Sequence, residues 1–220
     1  MINGCTQWPG AVALRWHQQQ LLLLPERALW APEQRLLLLA DLHLGKAETF
    51  QAHGIPLPSD GDRSTLNRLL DLAHGLQPQR VVVLGDLIHS RLGLTGPLRQ
   101  MVAGLPELLG CPLQLVAGNH DAGSWLDGLP GEPSQACGAL WLSHAPEPAP
   151  EPDQLNVCGH LHPVALLGGA ADRLRLPCYA LDRPKRQLQL PAFGDLTGGH
   201  PSEARLERWV IAGNQVLALP

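Results

Sequence analysis

The sequence predicts a layered α/β domain. Apolar strands alternate with amphipathic helices in the first half of the chain, and strands follow one another in the second half, an order typical of such folds. With 220 residues and a hydrophobic fraction of 45%, the chain is long enough for one sizeable core. No repeat and no Gly/Ser-rich linker divides it, so we expect a single domain over residues 1–220.

The helix signals lie in the first half. Leucine-rich runs at 21–25 and 35–40 predict buried strands, joined by a hairpin-like connection through the turn formers between them. After Ser59, helical spacing predicts an amphipathic helix through Leu66, Leu69, Leu70, Ala73 and Leu76. The run RVVVLGD predicts a strand over 80–86, and the next helix has a predicted buried stripe of Leu98, Met101, Val102, Leu105, Leu108 and Leu109.

The second half is predicted to consist mostly of strands. Three apolar runs, at 113–121, 139–146 and 155–163, each end in a polar cluster. Further short strands of a later sheet are predicted in RLRLPCYAL (173–181), RQLQLPAF (186–193) and WVIAGNQVLAL (209–219).

Composition excludes several classes of protein. The formal net charge of −4 argues against a general cationic surface, so any contact with nucleic acid must be local. No apolar run approaches the roughly 18 residues of a membrane span, and MINGCTQWPG lacks a signal-peptide pattern, so we expect a cytoplasmic protein without membrane contact. The five cysteines are widely spaced, without a CxxC pair, which predicts buried thiols rather than disulfides or a zinc ribbon.

Histidine is unusually frequent, and the histidines concentrate near strand ends. Of the ten, six lie in or beside polar clusters: His43, His89, His120, His144, His160 and His162. The other four are expected at the surface or as caps: His17, His53, His74 and His200. This distribution predicts one shared site.

Five apolar strands end in residue types that bind metals. The clusters are Asp41-Leu42-His43, Gly85-Asp86, Gly118-Asn119-His120-Asp121, Ser143-His144 and Gly159-His160-Leu161-His162. Loops diverge beyond the carboxyl ends of strands in open α/β sheets, so clusters distant in sequence can converge there. Carboxylate, amide and imidazole ligands suit Mn²⁺, Fe²⁺ or Zn²⁺. One DxH or GD alone is commonly structural, but five such clusters in this order predict a metal site.

Local spacing supports convergence. In DLH and HLH the two ligand types are two residues apart, which places both on one side of an extended segment. Glycines directly before Asp86, Asn119 and His160 allow sharp turns and a close approach to an ion or a phosphate.

The order of these motifs resembles the calcineurin-like binuclear metallophosphoesterases over residues 41–162. More narrowly, ADLHLGKAETF, GDLIHSR, GHLHP, RLRLPCY and LPAFGDLTGG are similar to the bacterial ligase-associated DNA-damage-response metallophosphoesterases, an endonuclease group. The resemblance implies an α/β fold that is a four-layer αββα sandwich, with two facing mixed sheets flanked by helices. His89 stands where the wider family usually has an acidic residue, which leaves its role open.

The resemblance also implies roles for the clustered residues. One divalent ion is expected on Asp41, His43 and His162, a second on Asn119, His144 and His160, with Asp86 as the bridge. A shared carboxylate suits two cations about 3.5–4 Å apart. His120 is expected as the acid near the scissile bond, with Asp121 holding its ring; the alternative is that His120 is a third ligand. Mn²⁺ is the expected metal, with Fe²⁺ or Zn²⁺ as alternatives.

Phosphate contacts are predicted from basic side chains near the clusters. The candidates are His89, Arg91 and Arg173, followed by Arg175, Arg183, Lys185 and Arg186. Arginines on short strands are also commonly solvated or paired with neighbouring acids, here Asp172 and Asp182.

The sequence is compatible with three functions. The resemblance implies a DNA endonuclease or phosphodiesterase acting on ends, flaps or single strands, with a DNA ligase and a helicase as partners. The same two-metal site could serve a small-molecule phosphodiesterase or pyrophosphatase acting on a nucleotide conjugate. A non-catalytic scaffold subunit of a repair complex is the third possibility, and the complete set of metal ligands argues against it.

Overall fold

Two mixed β-sheets face each other in the computed structural model, which describes residues 7–58, 60–121, 126, 128–169 and 172–220. The first sheet has the order β1 (Val12–Trp16), β2 (Gln19–Leu23), β3 (Leu29–Ala31), β4 (Leu36–Leu39), β5 (Arg80–Leu84), β6 (Leu113–Val116) and β7 (Gly131–Glu132). Neighbours from β1 to β4 are antiparallel, and those from β4 to β7 are parallel. This confirms the predicted α/β class with two facing mixed sheets.

The second sheet is built from the later part of the chain. Its order is β14 (His200–Pro201), β11 (Pro163–Gly168), β12 (Arg173–Asp182), β13 (Gln187–Gln189), β10 (Leu155–Cys158), β9 (Leu140–Ser143) and β8 (Gln135–Cys137). The hairpin of β15 (Glu207–Ala212) and β16 (Gln215–Ala218) joins this sheet through β12. The parallel pair of β9 and β10, next to the edge strand β8, is followed by two of the polar clusters.

Three helices lie between the early strands: α1 (Lys46–Ala52), α2 (Gly61–Leu76) and α3 (Gly96–Leu109). Helices α2 and α3 cover the outer face of the first sheet, where their leucines pack with Leu37 and Leu39 of β4. Leu36 and Leu38 of the same strand point the other way, into the core between the two sheets. The central strands are therefore apolar on both faces, as strands of a covered parallel sheet must be.

Two expectations about these elements are wrong. The runs at 21–25 and 35–40 do form β2 and β4, but β3 lies between them, because Trp30 is fully buried and pairs with both neighbouring strands. In α3, Met101 and Leu108 are 41% and 52% exposed. The buried stripe runs through Leu98, Val102, Leu105 and Leu109, and residues 101 and 108 lie beside it at 3.6 residues per turn.

The cysteines in the described part of the chain are free thiols. Of the cysteines, Cys111, Cys158 and Cys178 are buried and free, and Cys137 is half-buried and free. Cys5 and the predicted helix start at Ser59 lie outside the described residues. Within the described part of the chain, no helix is long and apolar enough to cross a membrane.

Candidate metal centre

The parallel strands bring the polar clusters to one place. Asp41, Asp86 and Asn119 each follow one of three adjacent parallel strands, β4, β5 and β6. His144 and His160 follow β9 and β10 in the facing sheet. Since the carboxyl ends of parallel neighbours share an edge, side chains from five separate segments meet there.

Asp41, His43 and His162 form the first group. Their ligand atoms lie within 4.8 Å of one another. Asp41 Oδ1 is 3.2 Å from His162 Nε2, and the Asp41 side chain is fully buried. The backbone N–H of His160 also donates to the Asp41 carboxylate, at 3.0 Å to Oδ2.

Asn119, His144 and His160 form the second group. His144 Nε2 lies 2.8 Å from Asn119 Oδ1 and 3.1 Å from His160 Nδ1. His144 Nδ1 lies 2.9 Å from the carbonyl oxygen of Leu84 and donates its proton to it, which leaves the lone pair of Nε2 directed at the other two atoms. Asn119 Oδ1 and His160 Nδ1 therefore both lie beside His144 Nε2, so these three electron-pair donors are candidates for one ion.

Asp86 lies between the two groups. Its Oδ2 is 3.6 Å from His43 Nε2 and its Oδ1 is 3.7 Å from His144 Nε2. The side chain is buried, and Oδ1 also accepts from the backbone N–H of His120 at 2.9 Å. One carboxylate facing two ligand groups is the arrangement that a pair of cations requires of a bridge.

The ligand atoms of this cluster and their burial suit divalent cations. His162 Nε2 is buried and makes no hydrogen bond among the described residues, although Asp41 Oδ1 lies 3.2 Å from it without hydrogen-bond geometry. A buried ring nitrogen in that state costs free energy unless something binds it. Burial, and then the neighbouring His162, lowers the pKa of His43 to about 2, so its imidazole is neutral and able to act as a ligand. The buried carboxylates of Asp41 and Asp86 lie beside the neutral ring of His43 and therefore favour a bound positive charge.

The backbone at these ligands is unusual. Positive φ angles occur at Asp41 (57°), His43 (49°), Asp86 (53°), His160 (67°) and His162 (45°). The DLH and HLH pairs therefore point into one site from left-handed backbone, and the extended segment expected for them is wrong. Asp and His are among the residues that tolerate this conformation.

Glycines next to the ligands make room for other ligands. A Cβ on Gly85 would lie 2.1 Å from His144 Nδ1, and a Cβ on Gly159 would lie 2.5 Å from Asp41 Oδ2. The close approach predicted for such glycines exists, but the groups approached are protein side chains.

Asp121 does not hold the ring of His120, and that expectation is corrected. Its carboxylate accepts from the backbone N–H groups of Asp86 (2.6 Å), Gly118 (3.1 Å) and Leu87 (3.1 Å), with a longer contact to Ile88 (3.4 Å). Asp121 thereby ties the loop after β6 to the loop after β5. Burial raises the pKa of this carboxyl group, and the backbone donors act in the opposite direction.

His120 is held by His89 instead. His120 Nδ1 lies 2.7 Å from the carbonyl oxygen of His89, and the two rings stack with centroids 5.2 Å apart. His120 Nε2 points towards Asp86 Oδ2 at 4.0 Å, and the side chain is 37% exposed. His120 is therefore a partly accessible imidazole beside the cluster.

His89 connects His120 to the candidate ligand His43. Its Nδ1 lies 3.3 Å from His43 Nδ1, and Phe50 stacks near its ring at 6.1 Å. Burial lowers the pKa of His89 to about 4. His43, His89 and His120 could also hold a metal together, so the third-ligand alternative for His120 stays open.

The other candidates are more peripheral. Arg91 and Arg173 are exposed, as are the four histidines assigned to the surface. Several later basic residues have structural partners: Arg183 pairs with Glu207 at 2.5 Å, Lys185 pairs with Asp182 at 3.8 Å, and Arg186 donates to the backbone carbonyl of Glu151. Arg27 was not predicted from the sequence. It is a half-buried arginine in the turn after β2 and lines a cavity together with His162.

Two facing sheets with Asp, Asn and His side chains at their strand ends form a site suited to metal-dependent chemistry. The family model for calcineurin-like phosphoesterases matches residues 34–179. The chain therefore belongs to the calcineurin-like phosphoesterases, a metal-dependent family. The search of curated proteins found no match.

Among solved structures, the chain is similar to nuclease MPE from Pseudomonas putida. The identity is 29%, the TM-score is 0.78, and the match covers 95% of this chain and 100% of that one. Yfce, a phosphoesterase from E. coli, is 20% identical with a TM-score of 0.45, over 81% of this chain and 88% of that one.

Proposed function

We propose that this chain hydrolyses phosphodiester bonds in DNA and uses two divalent metal ions to do so. The observation that carries the proposal is the convergence of two ligand groups on opposite sides of the buried Asp86 carboxylate. The similarity to a nuclease over nearly the whole chain supports nucleic acid as the substrate.

In this proposal Asp41, His43 and His162 hold one ion, Asn119, His144 and His160 hold the other, and Asp86 bridges them. Two ions bound there would supply Lewis-acid stabilisation of charge on the phosphoryl oxygens and an acidified water for in-line attack. Mn²⁺ is the proposed metal, because the oxygen and imidazole ligands suit it.

His120 is proposed to give a proton to the leaving oxygen. Its Nδ1 hydrogen is engaged by the His89 carbonyl oxygen, so the proton that can move is the one on Nε2, the atom on the side of Asp86. The partial exposure of this ring leaves space for a substrate. The nucleic acid is proposed to contact His89, Arg91 and also Arg173, the first residue of β12.

We propose a single domain that works in the cytoplasm beside a DNA ligase and a helicase. The net charge of −4 disfavours tight, unaided binding to duplex DNA. Short single strands, ends and flaps are therefore the proposed substrates.

Hydrolysis of bis-p-nitrophenyl phosphate by metal-stripped and Mn²⁺-reloaded protein tests the chemistry. Turnover is expected only after reloading, and Asp86→Asn is expected to abolish it, whereas the exposed control Asp71→Asn on α2 retains it. Protein that keeps two bound ions and turns over nothing with any divalent metal would point to the scaffold function.

Labelled single-stranded, flapped and duplex DNA, compared with nucleotide conjugates, test the substrate. Cleavage of single-stranded or flapped DNA is the expected result. Hydrolysis of nucleotide conjugates alone, with no DNA cleaved at micromolar enzyme, would overturn the nuclease proposal in favour of the small-molecule phosphodiesterase.

A further inference from the structure

Two sequence strings singled out above, RLRLPCY and LPAFGDLTGG, contain none of the candidate metal ligands. In the structure they come together beside the metal centre. The second string runs along the Asp41 loop, where Phe193 N donates to Ala40 O at 2.8 Å and Gly194 N donates to Asp41 O at 3.1 Å. The residue that follows this string, His200, lies beside His162: its backbone N–H donates to the His162 carbonyl oxygen at 3.0 Å.

The first string supplies the opposite wall from one face of β12. Arg175, Pro177 and Tyr179 alternate along the strand and therefore share a face. Arg175 and Pro177 line a cavity that also includes His162. The guanidinium of Arg175 donates to the carbonyl oxygen of Gly199, which joins the two strings.

Tyr179 connects this wall to a third segment. Its buried hydroxyl lies 2.6 Å from the Leu24 carbonyl oxygen and 2.8 Å from that of Ala28. These two carbonyls flank the turn that carries Arg27, and Arg27 lines the same cavity. The strand that presents Arg175 thus also fixes the turn that presents Arg27.

The described side chains that line the cavity include two arginines, Arg27 and Arg175, and no carboxylate. The nearest acid to Arg27 is shared with a second arginine outside the cavity. Arg27 and Arg68 share one carboxylate, Asp195, at 3.5 and 2.9 Å. Two guanidinium groups therefore face a single acid, and Arg175 has no acidic partner among the described side chains.

One residue that lines the cavity carries an unused hydrogen-bond donor. This residue is Thr197, and its Oγ1 is buried without a hydrogen-bond partner in the described part of the structure. An orphaned hydroxyl costs free energy unless a ligand uses it.

The size of the cavity limits what it can accept. Its volume is about 150 Å³, whereas pockets for drug-sized ligands are about 300–1,000 Å³. The cavity is therefore closer in size to a small anion, such as a phosphate group, than to a drug-sized ligand.

We infer that Arg27, Arg175 and Thr197 form a subsite for a second, non-scissile phosphate of a polynucleotide, adjacent to the His162 side of the metal centre. This inference rests on the proposed function. It assigns the enzyme a preference for a strand over an isolated diester, because only a strand carries a second phosphate at a fixed distance from the scissile one.

Three substrates test the subsite with Mn²⁺-loaded enzyme. Bis-p-nitrophenyl phosphate and the dinucleotide TpT each contain one phosphate, and the trinucleotide TpTpT contains two. Wild-type enzyme is expected to have a kcat/KM for TpTpT that exceeds the value for TpT by more than the second scissile bond alone would give. Arg175→Gln is expected to reduce that preference by about 10- to 100-fold, the value of a charged hydrogen bond.

Two further measurements separate a contact from a structural effect. Each phosphate contact adds to the salt dependence of binding, so Arg175→Gln should also reduce the slope of log KM against log salt by about one. Thr197→Val is expected to weaken the TpTpT preference without lowering Tm, because the hydroxyl it removes has no partner, and Thr197→Ser should restore the preference.

Arg15→Gln is the matched control, because Arg15 is an exposed arginine on a strand elsewhere in the molecule. It is expected to leave all three rates unchanged. A wild-type kcat/KM for TpTpT that exceeds the value for TpT by no more than the second scissile bond alone would give, with both cleaved, would overturn the subsite and leave the proposed function intact. An equal loss on all three substrates in Arg175→Gln would also overturn it. If the wild type hydrolyses bis-p-nitrophenyl phosphate but no oligonucleotide, the nuclease proposal fails and the subsite fails with it.

Discussion

His120 is held at two points that are independent of each other. Its backbone N–H donates to Asp86 Oδ1 at 2.9 Å, and its ring is held by the His89 carbonyl oxygen. Since the first contact is made by the backbone, replacing the side chain leaves the position of Asp86 supported. The imidazole can therefore be tested separately from the ligand groups.

His120→Ala is expected to lower kcat by about 10²–10⁴, the usual contribution of a general acid, while bound metal stays near its wild-type level. Steady-state kinetics and elemental analysis of the same preparation measure both quantities. His53→Ala, at an exposed histidine after α1, is the control. Loss of metal together with activity in His120→Ala would show that the residue is a ligand.

At the scale of elements, short loops hold the strands in register at the site. Gly159 follows β10 and contacts the Asp41 loop of the other sheet so closely that a Cβ would meet Asp41 Oδ2 at 2.5 Å and Ala40 Cβ at 2.6 Å. The separation of the two sheets at the metal centre depends on this glycine.

Gly159→Ala is expected to destabilise the protein by about 1–3 kcal/mol, as overpacking does, and to weaken metal binding because it displaces Asp41. Gly104→Ala in α3, where a Cβ has nothing within 4 Å, should instead stabilise by about 0.5–1 kcal/mol. Thermal unfolding and metal titration of the two variants give the comparison. A Gly159→Ala protein with wild-type Tm and metal affinity would contradict this account of the loop.

Helix α2 is tied to the loop before α1 by an acid with a shifted pKa. Asp62 accepts from the backbone N–H of Gly45 at 2.7 Å, and burial, assisted by the charge of Glu48, raises its pKa to about 6. An acid whose pKa is higher in the folded state favours folding below its unfolded pKa. That contribution is lost as the pH rises through about 6.

Asp62→Asn should therefore raise Tm relative to the wild type above pH 6, and the difference should shrink towards zero near pH 4. Melting curves in chelator between pH 4 and 8 measure this, with Asp71→Asn on the same helix as the control. A Tm difference that does not change with pH would refute the shifted pKa.

Over the whole molecule, the metal centre joins the two sheets. One sheet supplies Asp41, Asp86 and Asn119, and the other supplies His144 and His160. An ion bound by both sheets stabilises the folded state alone, so its binding must appear as global stability.

Removing the metal with a chelator is expected to lower Tm by about 5–10 °C, since a ligand at 100 times its Kd contributes about 2.7 kcal/mol and 1 kcal/mol corresponds to about 2–4 °C in a domain of this size. Calorimetry at several Mn²⁺ concentrations measures the shift. His120→Ala should keep it and Asp86→Asn should lose it. A Tm that does not depend on Mn²⁺ in the wild type would mean that no ion links the sheets.

Much of this architecture could be predicted from the sequence. Apolar runs ending in Asp, Asn or His located the strands and the clusters at their carboxyl ends. The apolar run indicates a buried strand, and the polar residues that follow it indicate a metal site. The features that could not be predicted from the sequence depend on contacts between distant segments. The Asp121 carboxylate bonds to amides more than 30 residues away, and Arg27 reaches the site only because Tyr179, about 150 residues later, fixes its turn. Spacing along the chain contains neither fact.

The left-handed backbone at Asp41, His43, Asp86, His160 and His162 affects how these residues should be mutated. Alanine in that conformation costs about 1–2 kcal/mol, whereas glycine adopts it freely. An alanine variant keeps a Cβ, as the native Asp or His does, and so removes the ligand with little change in backbone strain. A glycine variant also relieves that strain and would therefore understate the share of the lost ligand in stability. Glycine and alanine variants compared at the same position, for example Asp41→Gly and Asp41→Ala, would measure the two contributions separately.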